Sequence, residues 1–421
     1  MAQTEDAVTT AVSPQSILPG SAGPATPSSP QHLQFVYYHF YAHYPDLHLL
    51  PQYYEDLFVQ QGRLPGRRWL DFYNERLVPH EGAFYHLYEW VHDTKFRMND
   101  LITTGPLEGM AAVNPAVVDV GAERVQVYAR LGLMFGDMFL ARGDYERSFR
   151  CYDMVVRMTR LRDSSPLLLH LLSLQLRQLA YDHMALGLEA FAGAPAGTLS
   201  PDVQAIVMEL RDSLASYRPI EEQHTPQNML QGELQDLWAA LNAYDPPARP
   251  LPEGTLRQGW RTALERWQPA WESGRVPDEL QLASGSRRYT TLMNLREEAD
   301  RLIDDQLFLK DFSAGARRDI LQSRITTTQA FWKLIYLEAM AIVDPASAGV
   351  LSELKKNIPP DLYPYMLLDP FTGLVFGVIH NQPGARSHYY SFGPDRDDDA
   401  GAVKYNPESG LTSDGDIVLF N

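Results

Sequence analysis

The sequence is short of cysteine and of long apolar runs, and each shortage excludes a class of structure. Cys151 is the single cysteine among 421 residues, so an intrachain disulfide is impossible and the cysteine count leaves the compartment open. Cys151 falls in a predicted helix, where we expect it to be a small buried side chain. A membrane helix needs about 20 apolar residues. The richest run, "PLLLHLLSLQLRQLAY", is interrupted by polar residues, so we predict no transmembrane segment.

Basic residues and catalytic motifs are also scarce. The 36 lysines and arginines are scattered and are outnumbered by 53 acids, which gives a net charge of −17. Nucleic acids and anionic membranes bind basic surfaces, so this balance argues against both and leaves cations or basic proteins as partners. The chain has no G-x-S-x-G sequence, no phosphate-binding loop and no dinucleotide-binding glycine pattern. We therefore predict a protein that is not an enzyme.

The N-terminal segment 1–31 is rich in Ser, Thr, Pro, Ala and Gly. It has neither a basic region nor an apolar core of the kind found in signal peptides. Its composition cannot bury enough apolar surface to offset the loss of chain entropy, so we predict a disordered leader. "AQTEDA" after the first Met is also compatible with a mature N-terminus left by cleavage after a small residue.

Aromatic residues and histidines are concentrated from residue 32 onwards, and most of the aromatics are expected to fill a core. His39 and His43 are four residues apart, which on a helix places both on one face and would suit zinc. His86, Glu89 and His92 recur every three residues. Neither group forms an H-E-x-x-H motif, so packed or surface histidines are the preferred interpretation. The alternative function is a hydrolase or metal-dependent enzyme with its pocket here.

The segment 131–160 resembles a single tetratricopeptide repeat, a hairpin of two helices. The resemblance implies close helix contact at a small residue and a helical body that binds another protein. Its flanks match the repeat less well, so the firm prediction is a helical hairpin inside a helical body. The matching positions are Gly136, Tyr145, Ser148, Tyr152 and Val155.

Further helices are predicted from capping and periodicity. Ser200 followed by Pro201 is typical of a helix N-terminus. A long helix is predicted over 316–343, where apolar residues fall along one stripe. That stripe contains Ile325, Ala330, Leu334, Leu337 and Met340.

After this helix the pattern changes to short apolar runs separated by Gly, Pro and Asn, which are strand and turn signals. The runs are "VFGVI", "HYYSF" and "DIVLF". The predicted fold is mainly α: a helical, partly repeat-like body over 32–315, followed by a small α+β module over 316–421.

The order of motifs in this module resembles the C-terminal region of major pseudopilins of type II secretion systems. It is most similar to the divergent pseudopilin-like proteins of planctomycete-type bacteria. The resemblance rests on Asp369, Pro370 and Gly373 of "DPFTG", on the "YSFGPD" run and on the closing "GDI". It implies a long helix packed on a small antiparallel sheet, and a loop that binds calcium. The hydrophobic, methylated N-terminal helix of pseudopilins is absent, and "AVKYNPESGLT" is an insertion in the loop.

The resemblance also implies a ligand set. Asp395 matches the acid that follows the Gly-x pair, and Asp416 matches the acid before Ile. Calcium accepts six to eight oxygen ligands in irregular geometry, which suits a flexible acidic loop. The predicted set is Asp395, Asp398, Asp414 and Asp416, with a backbone carbonyl near Ser391.

Two other interpretations of these motifs remain. The acidic loop can be simply solvated, without an ion. "DPFTG" is expected to be a turn in which Asp369 accepts backbone hydrogen bonds. The spacing of glycine and glutamate excludes an EF-hand.

The predicted function is a non-enzymatic protein-binding or structural component of a bacterial envelope or secretion-related assembly. Its predicted structural ion is calcium, its partners are proteins rather than nucleic acids, and its expected location is periplasmic or exported. A cytoplasmic location remains an alternative.

Overall fold

Helices dominate the part of the chain that the computed structural model describes. The described residues are 66–78, 81–103, 115–162, 165, 167–194, 198–225, 228–229, 232, 234–235, 238, 256–273, 314–345, 350–380, 386–406 and 412–420. Their eleven α-helices are α1 (Arg67–Phe72), α2 (Glu81–His92), α3 (Met98–Thr103), α4 (Pro115–Ala141), α5 (Tyr145–Met158), α6 (Leu167–Ala192), α7 (Pro201–Ala215), α8 (Arg218–Glu221), α9 (Leu256–Glu272), α10 (Ala314–Val343) and α11 (Leu351–Asn357). A π-helical turn, Tyr73–Leu77, follows α1, and a 3₁₀ turn, Tyr365–Leu367, follows α11.

A small antiparallel sheet lies near the C-terminus. Its strands β1 (Gly377–Ile379), β2 (His388–Ser391) and β3 (Ile417–Val418) pair in sequence order. Tyr390 in the middle strand lies opposite Gly377 on one side and Val418 on the other. The mainly helical fold with a small C-terminal sheet is therefore confirmed. Within the described residues, no helix combines the length and apolar character that a bilayer span requires.

Helices α4 and α5 form the predicted hairpin. Asp144 caps α5 by accepting a hydrogen bond from the Arg147 N–H at 3.2 Å. The Tyr152 ring of α5 lies where a Cβ on Gly136 would be, so any larger residue at 136 would overlap it. The requirement for a small residue in the first helix is thus confirmed, and Cys151 is buried as predicted.

The interior of the helical body contains paired polar groups. Asp137 accepts hydrogen bonds from the Tyr152 hydroxyl at 2.7 Å and from His183 Nδ1 at 2.6 Å. Arg177 and Glu221, both fully buried, form an ion pair at 2.9 Å. Because a buried charge without a partner is strongly destabilising, these pairs restrict how α4, α5, α6 and α8 can pack.

Helix α10 connects the helical body to the sheet. It packs against α6 and α7 on one side and against β2 on the other. The residues of the predicted stripe are buried. The buried surface of α10 is wider than that stripe, because Trp332, Ile335, Tyr336 and Ala339 are buried as well. The helix has no solvent-facing side there because neighbours cover it from two directions.

Polar contacts fix α10 to both neighbours. The Trp332 indole N–H donates to the Leu214 carbonyl at the end of α7 at 2.8 Å. Glu338 accepts a hydrogen bond from the Tyr389 N–H of β2 at 2.7 Å. Lys333 Nζ donates to the Leu368 carbonyl at 2.9 Å, and burial lowers the pKa of this lysine to about 8.

The remaining local predictions can be compared directly. Ser200 caps α7 by accepting a hydrogen bond from the Val203 N–H at 3.3 Å, with Pro201 at the first position, as predicted. The three predicted strand runs each contain one strand. The predicted leader 1–31 lies outside the described residues, and the domain boundary between 315 and 316 stays a prediction.

Two buried histidines face each other between α6 and the segment after α8. Their Nδ1 atoms are 2.9 Å apart, so one ring of the pair His170 and His224 donates and the other accepts. If both rings were protonated, two N–H groups would face each other and the hydrogen bond between the rings would be lost. Burial, with a contribution from the nearby Arg177 charge, lowers the pKa of His170 to about 3 and lowers that of His224.

This pair should make the fold sensitive to acid. An unfolded histidine titrates near pH 6.5, so the neutral pair contributes stability that is fully present above that pH and is lost as pH falls towards the lower folded pKa. We expect His170 alone to remove about 2 kcal/mol from the free energy of unfolding between about pH 7.5 and about pH 5. Urea unfolding of the double variant His170→Leu/His224→Leu should show a smaller loss on acidification.

The matched control is His380→Leu, because His380 is exposed. It should retain the acid sensitivity of the parent. An unchanged pH dependence in the double variant would contradict the assignment of acid sensitivity to this pair.

Candidate metal centre

Two loops of the C-terminal module are held side by side by close backbone contacts. Gly393 has φ +69°, and a Cβ there would overlap the Gly415 carbonyl oxygen. Gly415 has φ +121°, and a Cβ there would lie 2.8 Å from the Val403 backbone. The Asp416 N–H donates to the Val403 carbonyl at 2.9 Å. Only glycine tolerates both positions, so these glycines allow the loop 391–406 to lie against 412–416.

Three acids meet where the loops touch. Asp395, Asp397 and Asp414 each place one carboxylate oxygen within 4.8 Å of the other two. Asp395 Oδ2 accepts a hydrogen bond from the Gly415 N–H, while its Oδ1 is buried and has no hydrogen-bond partner among the described residues. The three oxygens lie close enough to ligate one metal ion. Oxygen ligands alone favour a hard cation but do not distinguish calcium from others.

Mutual repulsion is visible in the electrostatics of the cluster. Desolvation and the charges of Asp395, Asp399 and Asp414 raise the pKa of Asp397. Burial, followed by the charges of Asp399, Asp398 and Asp395, raises the pKa of Asp416 to about 6, although the Gly401 N–H opposes the shift. A cation would relieve this repulsion.

Asp416 lies directly before β3 and is fully buried. Its Oδ2 accepts a hydrogen bond from the Gly401 N–H at 2.7 Å, and its Oδ1 has no hydrogen-bond partner among the described residues. Asp416 does not belong to the cluster of Asp395, Asp397 and Asp414. Its hydrogen bond instead joins the segment before β3 to the backbone of the neighbouring loop.

The other two predicted ligand positions make different bonds. Asp398 Oδ1 accepts from the Tyr390 hydroxyl at 2.7 Å and from the Ala400 N–H at 3.0 Å. The buried Ser391 hydroxyl donates to Asp369 Oδ1 at 2.6 Å. Of the predicted set, the structure brings Asp395 and Asp414 together.

Sequence reasoning missed Asp397 as a member of the cluster. The signal was present, because Asp395 and Asp397 alternate and can point the same way in an extended loop. The choice between Asp397 and Asp398 depends on the backbone turn at Arg396, where φ is +66°.

The "DPFTG" motif is the predicted turn. Asp369 Oδ2 accepts hydrogen bonds from the Thr372 N–H at 3.2 Å and the Thr372 hydroxyl at 2.8 Å. Gly373 has φ +73°, a conformation that glycine adopts without strain. Asp369 therefore holds the turn and, through Ser391, ties it to β2.

The N-terminal histidine hypothesis is only partly covered by the structure. His39 and His43 lie outside the described residues, as does the side chain of His86, while Glu89 is exposed. His92 uses both ring nitrogens, one towards the Tyr88 carbonyl at 2.8 Å and one towards Asp153 at 2.7 Å. Neither nitrogen of His92 is left to act as a general base.

Comparisons with protein-family models, with curated proteins and with solved structures find no match to this chain.

Asp416 should make the metal-free protein less stable as pH rises. Its folded pKa, about 6, is above the unfolded value near 3.9, so its contribution is fully present below the unfolded pKa and is lost as pH rises through the folded pKa. Asp416→Asn keeps an oxygen for the Gly401 N–H but cannot ionise. In thermal melts with chelator, the fall in melting temperature between about pH 4.5 and about pH 7.5 should be smaller in Asp416→Asn than in the parent.

The matched control is Asp361→Asn, an exposed aspartate outside these loops. If the melting temperature falls equally in Asp416→Asn and in the parent over this pH range, the assignment of a raised pKa to Asp416 is wrong.

Proposed function

We propose that the C-terminal loops bind calcium as a structural ion, and that the chain is a non-enzymatic protein-binding or structural component of a bacterial envelope or secretion-related assembly. The observation that carries the calcium proposal is the convergence of Asp395, Asp397 and Asp414 within 4.8 Å. The buried Oδ1 of Asp395, which has no hydrogen-bond partner among the described residues, adds to it.

The ligand chemistry favours calcium over other common ions. Zinc sites are built mainly from Cys and His, whereas this cluster offers carboxylates only. Magnesium requires near-ideal octahedral geometry, whereas calcium tolerates irregular shells completed by backbone carbonyls and water. Asp397 and Asp414 are exposed, so water has access to complete such a shell.

The proposed role of the ion is to hold two loops together. Asp395 and Asp397 belong to the loop that follows β2, and Asp414 belongs to the segment before β3. A shared ion would join the two segments that flank the sheet. The Ser391 hydroxyl donates to Asp369, and the Ser413 hydroxyl oxygen accepts a hydrogen bond from the Asn406 N–H at 2.6 Å. Both hydroxyl groups are thus used in holding the loops, which favours a structural role over a catalytic one.

The wider assignment rests on the pseudopilin resemblance. A long helix packed on a small antiparallel sheet is the arrangement that the resemblance implies, and α10 contacts β2 in this way. The hairpin of α4 and α5 is consistent with a repeat-like body that binds another protein. These features support an exported or periplasmic component of an envelope assembly.

Calcium should raise the melting temperature of the full chain relative to chelator. A ligand that binds only the folded state stabilises it by about 2.7 kcal/mol at 100 times its dissociation constant. Calorimetric titration with calcium and with magnesium would measure the affinities. Asp397→Asn and Asp414→Asn should each weaken calcium binding, because each removes a charged ligand.

Asp361→Asn again serves as the control and should bind calcium as the parent does. Equal melting temperatures in calcium and chelator, or parental affinity in Asp397→Asn, would remove the calcium site from the proposal. If magnesium binds more tightly than calcium, the proposed calcium site is instead a magnesium site.

Cell fractionation tests the location. The native protein should be recovered with periplasmic or envelope fractions, because the proposed assembly lies there. Recovery only with cytosolic marker proteins would contradict the envelope assignment while leaving the calcium site intact.

A further inference from the structure

A cavity of about 150 Å³ lies between α2, α5 and α7, away from the acidic loops. Its apolar lining comes from Tyr88, Phe149, Ile206 and Leu210. Three acids, two arginines and one histidine also line it. An apolar cavity of about 150 Å³ holds one benzene molecule, so a ligand of six or seven non-hydrogen atoms fits this volume.

One end of the cavity carries an excess of negative charge. Arg150 Nη2 lies 2.8 Å from Glu146 Oε1, and Arg150 Nε lies 3.3 Å from Glu209 Oε1. Two carboxylates therefore share one guanidinium group. The Oε2 atoms of Glu146 and Glu209 make no hydrogen bond to the described residues, so both remain able to accept from a ligand.

The other end of the cavity presents Arg157 as a hydrogen-bond donor. Asp153 is shared by Arg157, whose Nε lies 2.8 Å away, and by His92, whose Nε2 lies 2.7 Å away. His92 Nδ1 lies 2.8 Å from the Tyr88 carbonyl oxygen, so both ring nitrogens of His92 already have partners. Arg157 Nη1 makes no hydrogen bond to the described residues and is available to an acceptor.

The two ends are separated along the cavity. Arg150 and Arg157 are seven residues apart on α5, which is about 10 Å along the helix axis. The Arg157 end is the more enclosed, since the Arg157 side chain is 17% exposed whereas that of Glu209 is 55% exposed. A ligand that satisfies both ends must carry its two charges at opposite ends of a short chain.

We propose that this cavity binds a small zwitterion with a terminal ammonium and a terminal carboxylate, of the ω-amino acid class. The ammonium group donates to Glu146 and Glu209, and the carboxylate accepts from Arg157. The methylene chain between them packs against Phe149, Ile206 and Leu210. A simple anion would leave Glu146 and Glu209 without a donor, and a simple amine would leave Arg157 without an acceptor.

The test uses calorimetric titration and thermal melts of the full chain with 4-aminobutyrate. Butyrate lacks the ammonium group and butylamine lacks the carboxylate, while both keep the chain length. We expect 4-aminobutyrate to bind and to raise the melting temperature, and each analogue to bind at least about tenfold more weakly. Glu209→Gln, at a largely exposed position, should weaken 4-aminobutyrate at least about tenfold without changing the melting temperature of the free protein.

Glu189→Gln is the matched control, because Glu189 is an exposed glutamate on α6 that does not line the cavity. It should bind 4-aminobutyrate as the parent does. The proposal is overturned if 4-aminobutyrate does not bind at millimolar concentration, or if butyrate or butylamine binds equally well. Parental affinity in Glu209→Gln would overturn it too.

Discussion

Helix α10 has no solvent-facing side along its second half, and the rest of the described structure is organised by that constraint. Trp332 through Ile342 contact α6 and α7 on one side and the C-terminal sheet on the other. A helix that is apolar all round is stable in water only when neighbours cover every side. The helical body and the sheet therefore share one hydrophobic core.

Polar groups inside this core select one arrangement of the helices. Lys333 and Glu338 on α10 each hydrogen-bond to the backbone of the C-terminal module. Arg386 extends the same principle to α6, where its Nη1 donates to the Phe191 carbonyl at 2.8 Å. An apolar surface alone tolerates sliding, whereas a buried charge that loses its partner is strongly destabilising. The module is therefore docked in one register by a few directional contacts.

The acidic loop divides its aspartates between two tasks. Asp398 and Asp416 accept hydrogen bonds from backbone and hydroxyl groups and so stabilise the loops, as Asp369 does in the neighbouring turn. Asp395, Asp397 and Asp414 converge, and the first of them keeps one buried oxygen without a hydrogen-bond partner among the described residues. A cation bound by the cluster would neutralise part of the negative charge that these loops carry. In the cavity beside α5, by contrast, the acids lie next to two arginines.

Several local features could be predicted from the sequence. Capping at Ser200, the turn at Asp369 and the three strand runs follow from chemistry within a few residues. Which distant residues meet depends on the folded chain. Asp397 and Asp398 are neighbours with the same side chain, yet Asp397 faces Asp414 while Asp398 binds the Tyr390 hydroxyl. The physical reason is that the path of the backbone through Arg396 and Gly415 sets these directions, and that path depends on contacts between segments far apart in the chain.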